Sequence, residues 1–420
     1  MMEEITFHLP YGETALEVRV PGHRVLAEVT PRPLKEAIDE GAEVRDALEA
    51  PTGTPRLRAL ARPGQRVAVV TSDLTRPCPS ERLLPFILEE LAAAGVADED
   101  VTVVMALGLH RPMTEEELAL AVGREVYERA RVINHDPDET VALGETRVGT
   151  PVALFRPVVE ADVRVCLGNL ELHYFAGYSG GAKAIFPGCA SEAGVRANHA
   201  MMVRPEAAAG KLEGNPVRAD LEDAVGMVGA DFILNVVVDS EHRIVNAVAG
   251  EVTVAHRRGC EMVARRGKVA IPERADVVVV SAGGYPKDVN LYQAQKALDN
   301  AAHAVRDGGV IVLVAECREG FGNETFREWM VVCRTPEARL SRLEKDFVLG
   351  GHKAAAIAGV QKRADVYLVS VMREEEVGGC GLMLFDDVNE AVTTALEEVG
   401  GDGQVIVMPE GGSVLPNAGS

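Results

Sequence analysis

Apolar runs that read as buried strands alternate with amphipathic helical segments along this chain, and this alternation is the strongest constraint on its fold. The run "RVAVVT" at 66–71 precedes a helical segment over 81–95, and "VTVVMALG" at 101–108 follows it. The alternation resumes with "VVVVSAGG" at 277–284. Strands alternating with helices are typical of parallel sheets covered by helices. The pattern predicts an α/β fold.

A chain of 420 residues exceeds one ordinary hydrophobic core, so we expect two α/β domains. The strand-and-helix pattern restarts after "ARRGKVAIPERAD", which predicts domains over 1–270 and 271–404. We expect the tail, 405–420, to pack back on the first domain. Ligands of open α/β sheets bind beyond the carboxyl ends of the strands, so the active site is expected in the cleft between the two domains.

Composition excludes several classes of function. The formal net charge of −21 argues against a nucleic-acid partner, which needs clustered Lys and Arg. No apolar run is long enough to span a bilayer, and the acidic N-terminus does not resemble a signal peptide, so we expect a cytoplasmic protein. The seven scattered cysteines form no CxxC pair, which indicates neither a zinc knuckle nor a disulfide framework.

Three local signals predict where helices begin. Ser80 and Ser191 each precede a helical segment and are expected to be N-caps. Thr114 and Glu117 have the spacing of a capping box.

Polar side chains follow several of the predicted strands directly. They are Asp73, Thr75 and Arg76 after the first strand, His110 after the second, and His173 after "VRVCLGNL". Each has a structural alternative, because Asp and Thr also close ordinary turns and a histidine can lie on a surface or half-buried in a core. Their joint occurrence at strand ends favours a binding or catalytic site.

The run "FAGYSGGAKAIFPG" at 175–188 places Lys183 in a glycine-rich turn, in a chain with only nine lysines among 43 basic residues. Such a turn can cradle an anion with backbone N–H groups, but it lacks the spacing of a nucleotide triphosphate loop. A lysine amine is also a covalent anchor for a cofactor. His199 follows on a helix, where it is either a core residue or a metal ligand.

These residue types fit chemistry at a carbon next to a carboxylate. Two histidines can act as acid and base at neutral pH, and an arginine can hold a carboxylate through two hydrogen bonds. Removing hydrogen from such a carbon needs an electron sink, so a cofactor is expected.

The motifs "SDLTRP", "GLHRPMTEEE", "GNLELHYFAGYSGGAKAIFPG", "NHAMM" and "GGYPKDVNLYQAQKA" resemble the nickel-dependent lactate racemase family, the LarA-like 2-hydroxyacid racemases and epimerases. The resemblance covers both predicted domains, in order. It implies hydride abstraction and return through a nickel pincer nucleotide, a pyridinium mononucleotide whose two sulfur-containing arms hold nickel, by way of a 2-keto acid. It also implies that separate enzymes make this cofactor.

The resemblance implies a role for each matching residue. Lys183 would carry the cofactor covalently, His199 would bind nickel, and His110 and His173 would be the acid/base pair. Cofactor contacts would come from the loop Asp73, Leu74, Thr75 and Arg76. Substrate contacts would come from Arg76 and, in the second domain, from Gln293 and Lys296.

The substrate and the oligomeric state stay open, with a small 2-hydroxy acid as the expected partner and a homo-oligomer possible. His352 and Lys353 suit a longer or more polar acid than lactate, unless they are a helix-start histidine and a surface lysine. Three rival functions use the same residues: a zinc hydrolase with three histidines, a Schiff-base lyase or aldolase at Lys183, and a non-catalytic protein that binds a small acid or nucleotide. The zinc rival lacks a closely spaced ligand pair.

Overall fold

A computed structural model describes residues 4–33, 38–239, 241–345 and 347–418. They divide into two compact units: a first unit of residues 38–264, and a second unit of residues 4–33 together with 265–418. Each unit contains a six-stranded, mainly parallel sheet with helices, so the prediction of two α/β domains is confirmed.

The strands of the described residues are, in chain order, β1 Glu4–Tyr11, β2 Thr14–Pro21, β3 Val25–Glu28, β4 Val67–Ser72, β5 Val101–Ala106, β6 Arg131–Asn134, β7 Thr140–Glu145, β8 Pro151–Phe155, β9 Val163–Asn169, β10 Leu172–His173, β11 Gly177–Tyr178, β12 Phe232–Val238, β13 Ile244–Gly250, β14 Lys268–Ile271, β15 Ala275–Ser281, β16 Val305–Val314, β17 Ala364–Val369, β18 Met383–Phe385, β19 Val405–Met408 and β20 Leu415–Ala418.

The α-helices of the same residues are α1 Glu40–Glu49, α2 Leu57–Leu60, α3 Ser80–Ala93, α4 Glu115–Val122, α5 Arg124–Arg129, α6 Arg156–Val159, α7 Glu192–Ala200, α8 Pro216–Gly226, α9 Val254–Gly267, α10 Leu291–Ala301, α11 Glu324–Val332, α12 Pro336–Lys345, α13 Gly351–Gln361, α14 Glu374–Val377 and α15 Val388–Val399.

The sheet of the first unit has the order β13-β12-β9-β4-β5-β6. Its strands run parallel except for β12 and β13, which form an antiparallel hairpin. Neighbouring side chains of β4 point into separate apolar clusters, Val69 into one and Val70 into the other. Both faces are therefore buried, which explains the continuous apolar runs of the central strands. The parallel strands β4, β5, β6 and β9 end at the same edge.

The sheet of the second unit has the order β18-β17-β16-β15-β19-β3, with every neighbouring pair parallel. The prediction that the tail packs on the first domain is wrong, because β19 lies between β15 and β3 in this sheet. The prediction that the N-terminal residues belong to the first domain is wrong as well, since β3 is the edge strand of the sheet in the second unit. All four residues of β19 are buried, as expected for an inner strand with both faces covered. The division after Ala264 lies close to the predicted boundary.

Two of the three helix-start signals are confirmed. Thr114 and Glu117 form a capping box at α4, and the Ser191 hydroxyl accepts the Gly194 N–H at α7. Ser80 is not an N-cap, because it is the first residue of α3 and Pro79 precedes it. Its buried hydroxyl is 2.7 Å from that of Thr71 and ties α3 to the end of β4 instead.

Within the described ranges, no helix has the length and apolar character needed to cross a bilayer.

Candidate active site

Asp73 directly follows β4 and closes a tight turn. One carboxylate oxygen, Oδ1, accepts hydrogen bonds from the Thr75 N–H (2.8 Å) and the Thr75 hydroxyl (2.5 Å), and the Arg76 N–H donates to the Asp73 carbonyl (3.2 Å). Asp73 is buried, whereas Leu74, Thr75 and Arg76 are exposed. Asp73 and Thr75 can therefore close a turn and also belong to a binding or catalytic site. The same turn directs the Asp73 carboxylate inward and leaves the Arg76 guanidinium accessible.

The second carboxylate oxygen of Asp73 lies 2.6 Å from Nδ1 of His110, which follows β5 in the neighbouring loop. Burial raises the pKa of the Asp73 carboxyl, but the hydrogen bond and charge of His110 and the bonds from Thr75 outweigh it and hold that pKa below its usual value. A carboxylate can only accept, so Nδ1 of His110 carries the hydrogen. In the neutral imidazole, Nε2 is then the nitrogen that can take a proton.

In His173 the roles of the two ring nitrogens are the reverse of those in His110. It lies on β10, which pairs with β11 in a short antiparallel ladder after β9. The backbone N–H of Ala176 donates to its Nδ1 at 3.3 Å. Nδ1 therefore accepts, and in the neutral ring Nε2 carries the hydrogen. His110 thus presents an acceptor at Nε2, whereas His173 presents a donor there.

The Phe175 ring is the common neighbour of three of the candidate residues. Its centroid lies 4.5 Å from the ring centroid of His173 and 5.0 Å from that of His199. The Lys183 Nζ is 5.7 Å from the same centroid. The fold therefore brings together an amine and two imidazoles that are ten and sixteen positions from it in sequence.

The glycine-rich loop is held close to its neighbours by backbone geometry that requires glycine. At Gly177 (φ 78°), a Cβ would lie 2.1 Å from the carbonyl oxygen of Lys211. The Gly181 N–H donates to Oδ1 of buried Asn235 on β12, at 2.7 Å. These contacts fix the turn that carries Lys183.

The loop that carries His110 contacts the loop that carries Lys183. The Gly108 N–H donates to the carbonyl oxygen of Gly188 at 2.9 Å. Gly108 belongs to the loop of His110, and Gly188 to the loop of Lys183. All these loops leave the same edge of one sheet, as the sequence predicts.

His199 lies at the end of α7, and the residue before it anchors that helix. The Asn198 amide is fully buried and donates to the Asp220 carboxylate (2.8 Å) and the Val217 carbonyl (3.1 Å), both on α8. The hydroxyls of Thr146 and Thr150 also donate to Asp220. Sequence reasoning missed this network, because Asn198 and Asp220 on two helices and Thr146 and Thr150 in the turn after β7 form no recognisable motif.

His135 is a further histidine at this sheet edge, and its character is structural. It follows β6, is 2% exposed, and packs edge-on against the Phe155 ring at 5.5 Å. Burial lowers the pKa of His135 to about 4. In the unfolded chain this histidine has a pKa of about 6.5 and takes up its proton first as the pH falls, so His135 reduces the free energy of unfolding between those two pH values.

Between about pH 7 and pH 4.5, the free energy of unfolding is expected to fall in both proteins. The fall should be about 2 kcal/mol smaller in His135→Leu than in the unmodified protein. Urea titrations at both pH values measure this difference. His8→Leu, at an exposed position of β1, is the control and should follow the unmodified protein. Equal acid sensitivity of all three proteins would show that His135 is not protonated on unfolding in this range.

In the second unit, Gln293 and Lys296 lie one turn apart on α10 and are both half-buried. Asn290 caps this helix by accepting the Gln293 N–H at 3.0 Å. His352 and Lys353 are each 5% exposed, which excludes the alternative of a surface lysine. The Lys353 ammonium donates to the carbonyl of Tyr292 on α10 and lies 4.0 Å from its ring centroid.

Among the described residues, no group of three or more His, Cys, Asp or Glu side chains is arranged to hold a metal ion. A zinc site built from His110, His173 and His199 is therefore not favoured. The fold and the site define a class of two-unit α/β protein in which imidazoles and an amine lie at one edge of a parallel sheet.

Comparison with known proteins identifies this class. Residues 11–210 match the lactate racemase N-terminal domain model and residues 271–415 match the C-terminal domain model. A lactate racemase from Thermoanaerobacterium thermosaccharolyticum is 35% identical over 97% of this chain and 98% of that protein. One from Lactiplantibacillus plantarum is 28% identical over 98% of this chain and 99% of its own length. The chain belongs to the lactate racemase family, and it is an isomerase of the racemase type.

Solved structures agree with this assignment. The lactate racemase apoprotein from Thermoanaerobacterium thermosaccharolyticum has a TM-score of 0.91 at 34% identity, covering 98% of this chain and 100% of that chain. A crystal structure of a protein from Thermotoga maritima has a TM-score of 0.65 at 19% identity, over 92% of this chain and 100% of that chain, and shares the fold.

Proposed function

We propose that this racemase interconverts the enantiomers of lactate. Two relatives that match nearly the whole chain are named lactate racemase. The observation that carries the proposal is the convergence of His173, His199 and Lys183 on the Phe175 ring, next to the loop of His110. Racemisation by hydride transfer also needs the hydroxyl proton to be removed and returned for either enantiomer, and a pair of imidazoles can supply that proton transfer.

The residues present suit a nickel pincer nucleotide. Lys183 would hold it covalently, and the His199 imidazole would bind the nickel, a metal that accepts nitrogen and sulfur ligands. The turn from Asp73 to Arg76 would contact the nucleotide. When bound, this group supplies the acceptor to which the hydride of the substrate α-carbon is transferred and from which it returns. Arginine could not replace Lys183 as the anchor, because its guanidinium stays protonated.

The two imidazoles would handle the hydroxyl proton. Nε2 of His110 would accept it, since Asp73 keeps the hydrogen of His110 on Nδ1. On the opposite side, a protonated His173 would return a proton from Nε2 to the same oxygen, so that one turnover leaves His110 protonated and His173 neutral. The other enantiomer would be converted from that state, with His173 accepting the hydroxyl proton and His110 returning it.

The substrate carboxylate would be bound by Arg76, whose side chain is exposed beyond β4. Contacts of Gln293 and Lys296 with the substrate stay predictions. Lys353, which suggested a longer polar acid, donates to a backbone carbonyl of its own unit. That contact makes a small acid such as lactate the better-supported substrate.

The test uses protein produced together with the enzymes that make the cofactor. Pure L-lactate and pure D-lactate are incubated separately, and chiral chromatography follows the appearance of the other enantiomer. Conversion in both directions to an equal mixture is the expected result. Native mass spectrometry measures the covalent adduct in the same sample. Full adduct with no conversion of either lactate would overturn the choice of substrate, and a panel of longer 2-hydroxy acids would then replace it.

The rival functions give different results in the same preparation. Borohydride trapping of a keto acid on Lys183 would favour the lyase or aldolase. Zinc without nickel would favour the hydrolase, and binding without turnover would favour the non-catalytic protein.

Asp73→Asn is expected to lower the kcat for lactate by about 100-fold. An amide can donate to Nδ1 of His110, which would place the ring hydrogen on Nε2 and remove the proton acceptor. Initial rates with each enantiomer measure the effect. The covalent adduct should persist, because the Lys183 loop is untouched. An unchanged kcat would mean that Asp73 does not control the tautomer of His110.

A further inference from the structure

The loop of residues 175–184 lies on buried polar side chains that no sequence motif marks. Arg218 of α8 is 1% exposed. Its Nε donates to the Ala176 carbonyl at 3.3 Å, and its Nη2 donates to the Tyr178 carbonyl. Burying a guanidinium costs free energy unless it is hydrogen-bonded. The bonds to Ala176 and Tyr178 therefore stabilise both the buried Arg218 side chain and the loop.

His256 of α9 contacts the next part of the same loop. It is 1% exposed, and its Nε2 lies 2.9 Å from the carbonyl oxygen of Ser179. A carbonyl can only accept, so Nε2 carries the hydrogen. The imidazole also packs against the backbone of Gly181, where a Cβ would lie 2.7 Å from the ring.

The tautomer of His256 is set from the other side of the ring. Nη1 of Arg257 donates to Nδ1 of His256 at 3.1 Å. The Arg257 guanidinium is itself held by both carboxylate oxygens of Glu222, at 2.8 Å each. Burial, followed by the charge of Arg218, lowers the pKa of His256 well below its usual value. The ring is therefore neutral, with its one hydrogen directed at the loop.

We infer that His256 is a positioning residue that sets the direction of the Lys183 amine. It fixes the Ser179 carbonyl and packs on Gly181, and the Lys183 N–H donates to the carbonyl of the intervening Gly180 at 3.3 Å. With these backbone groups fixed, the side chain of Lys183 leaves the loop in one orientation. The importance of that orientation rests on the proposed role of Lys183 as the cofactor anchor, whereas the orientation itself does not.

The amine can be probed directly in cofactor-free, folded protein. A limiting amount of an amine-acylating N-hydroxysuccinimide ester is added, and peptide mass spectrometry measures the ratio of labelling at Lys183 to labelling at Lys211. Lys211 is exposed and serves as the internal reference, whereas Lys183 is half-buried. His256→Leu leaves the Ser179 carbonyl without its donor, so the loop opens and the ratio should rise roughly tenfold. His256→Gln can still donate from its amide and should restore the original ratio.

Val263→Ala is the matched control, because it removes buried volume from α9 without a polar contact to the loop. It should leave the ratio unchanged. An unchanged or lower ratio in folded His256→Leu would overturn the inference, and so would an equal rise in Val263→Ala. If His256→Leu does not fold, Arg257→Leu replaces it. That variant keeps the imidazole but removes the donor to its Nδ1, and a ratio equal to that of the unmodified protein would overturn the inference.

The labelling result is independent of the proposed function. If no adduct forms on Lys183 in cofactor-producing cells but His256→Leu still raises the ratio, the anchor role fails and the positioning role stands. If the adduct forms and the ratio does not change in His256→Leu, the anchor role stands and the positioning role fails.

Discussion

His110→Ala and His173→Ala are each expected to reduce the racemisation of lactate by about 10³-fold or more. Each variant removes one of the two groups that would carry the hydroxyl proton, and a racemase needs both because its substrates present opposite faces. Chiral chromatography from pure L-lactate and pure D-lactate measures the rate in each direction. Native mass spectrometry should find the covalent adduct at its normal level in both variants, since neither histidine would anchor the cofactor.

His8→Ala is the control for both variants. His8 is exposed on β1 and belongs to no candidate site, so its replacement should leave the rates unchanged. Racemisation at nearly the unmodified rate in either variant would show that the two-imidazole assignment is wrong. Loss of the adduct in the His173 variant would instead place that residue in cofactor binding.

Lys183→Arg is expected to abolish the covalent adduct and to bring racemisation down to the uncatalysed rate. The substitution keeps the positive charge and most of the side-chain length, so it isolates the capacity of the amine to form a covalent bond. Intact-protein mass spectrometry of protein made alongside the cofactor-producing enzymes measures the adduct. Racemisation is assayed in the same sample.

Lys211→Arg is the matched control, because Lys211 is an exposed lysine whose backbone contacts Gly177 of the same loop. It should retain both the adduct and the activity. A normal adduct mass in Lys183→Arg would mean that another residue carries the cofactor. Full activity without an adduct would mean that covalent attachment is unnecessary.

The α/β class follows from local patterns in the sequence because strand burial and helix amphipathicity are local properties. The runs at β4, β5, β9 and β15 identify strands of two buried sheets. The position of β19 does not follow from such patterns. Its four apolar residues fit an inner strand of either sheet, and only pairing with β15 and β3 selects the second unit.

Only part of the candidate site can be predicted from local patterns in the sequence. Parallel strands end at one edge, so the sequence predicts that His110 and Asp73 lie near each other, and the 2.6 Å contact between them agrees with that prediction. The buried supports of the Lys183 loop were not foreseen. Arg218 and His256 lie on helices far along the chain, and their spacing carries no signal of what they contact.

By itself, the sequence determined the α/β class, the chemistry-bearing residue types and the family, because these depend on composition and on spacing along one chain. The tertiary structure alone decided which unit the chain ends join, which nitrogen of His110, His173 and His256 carries the hydrogen, and which buried side chains hold the loop of Lys183. The physical reason is that hydrogen-bond donors and acceptors act over about 3 Å, so their pairing is set by distances in space that sequence separation does not encode.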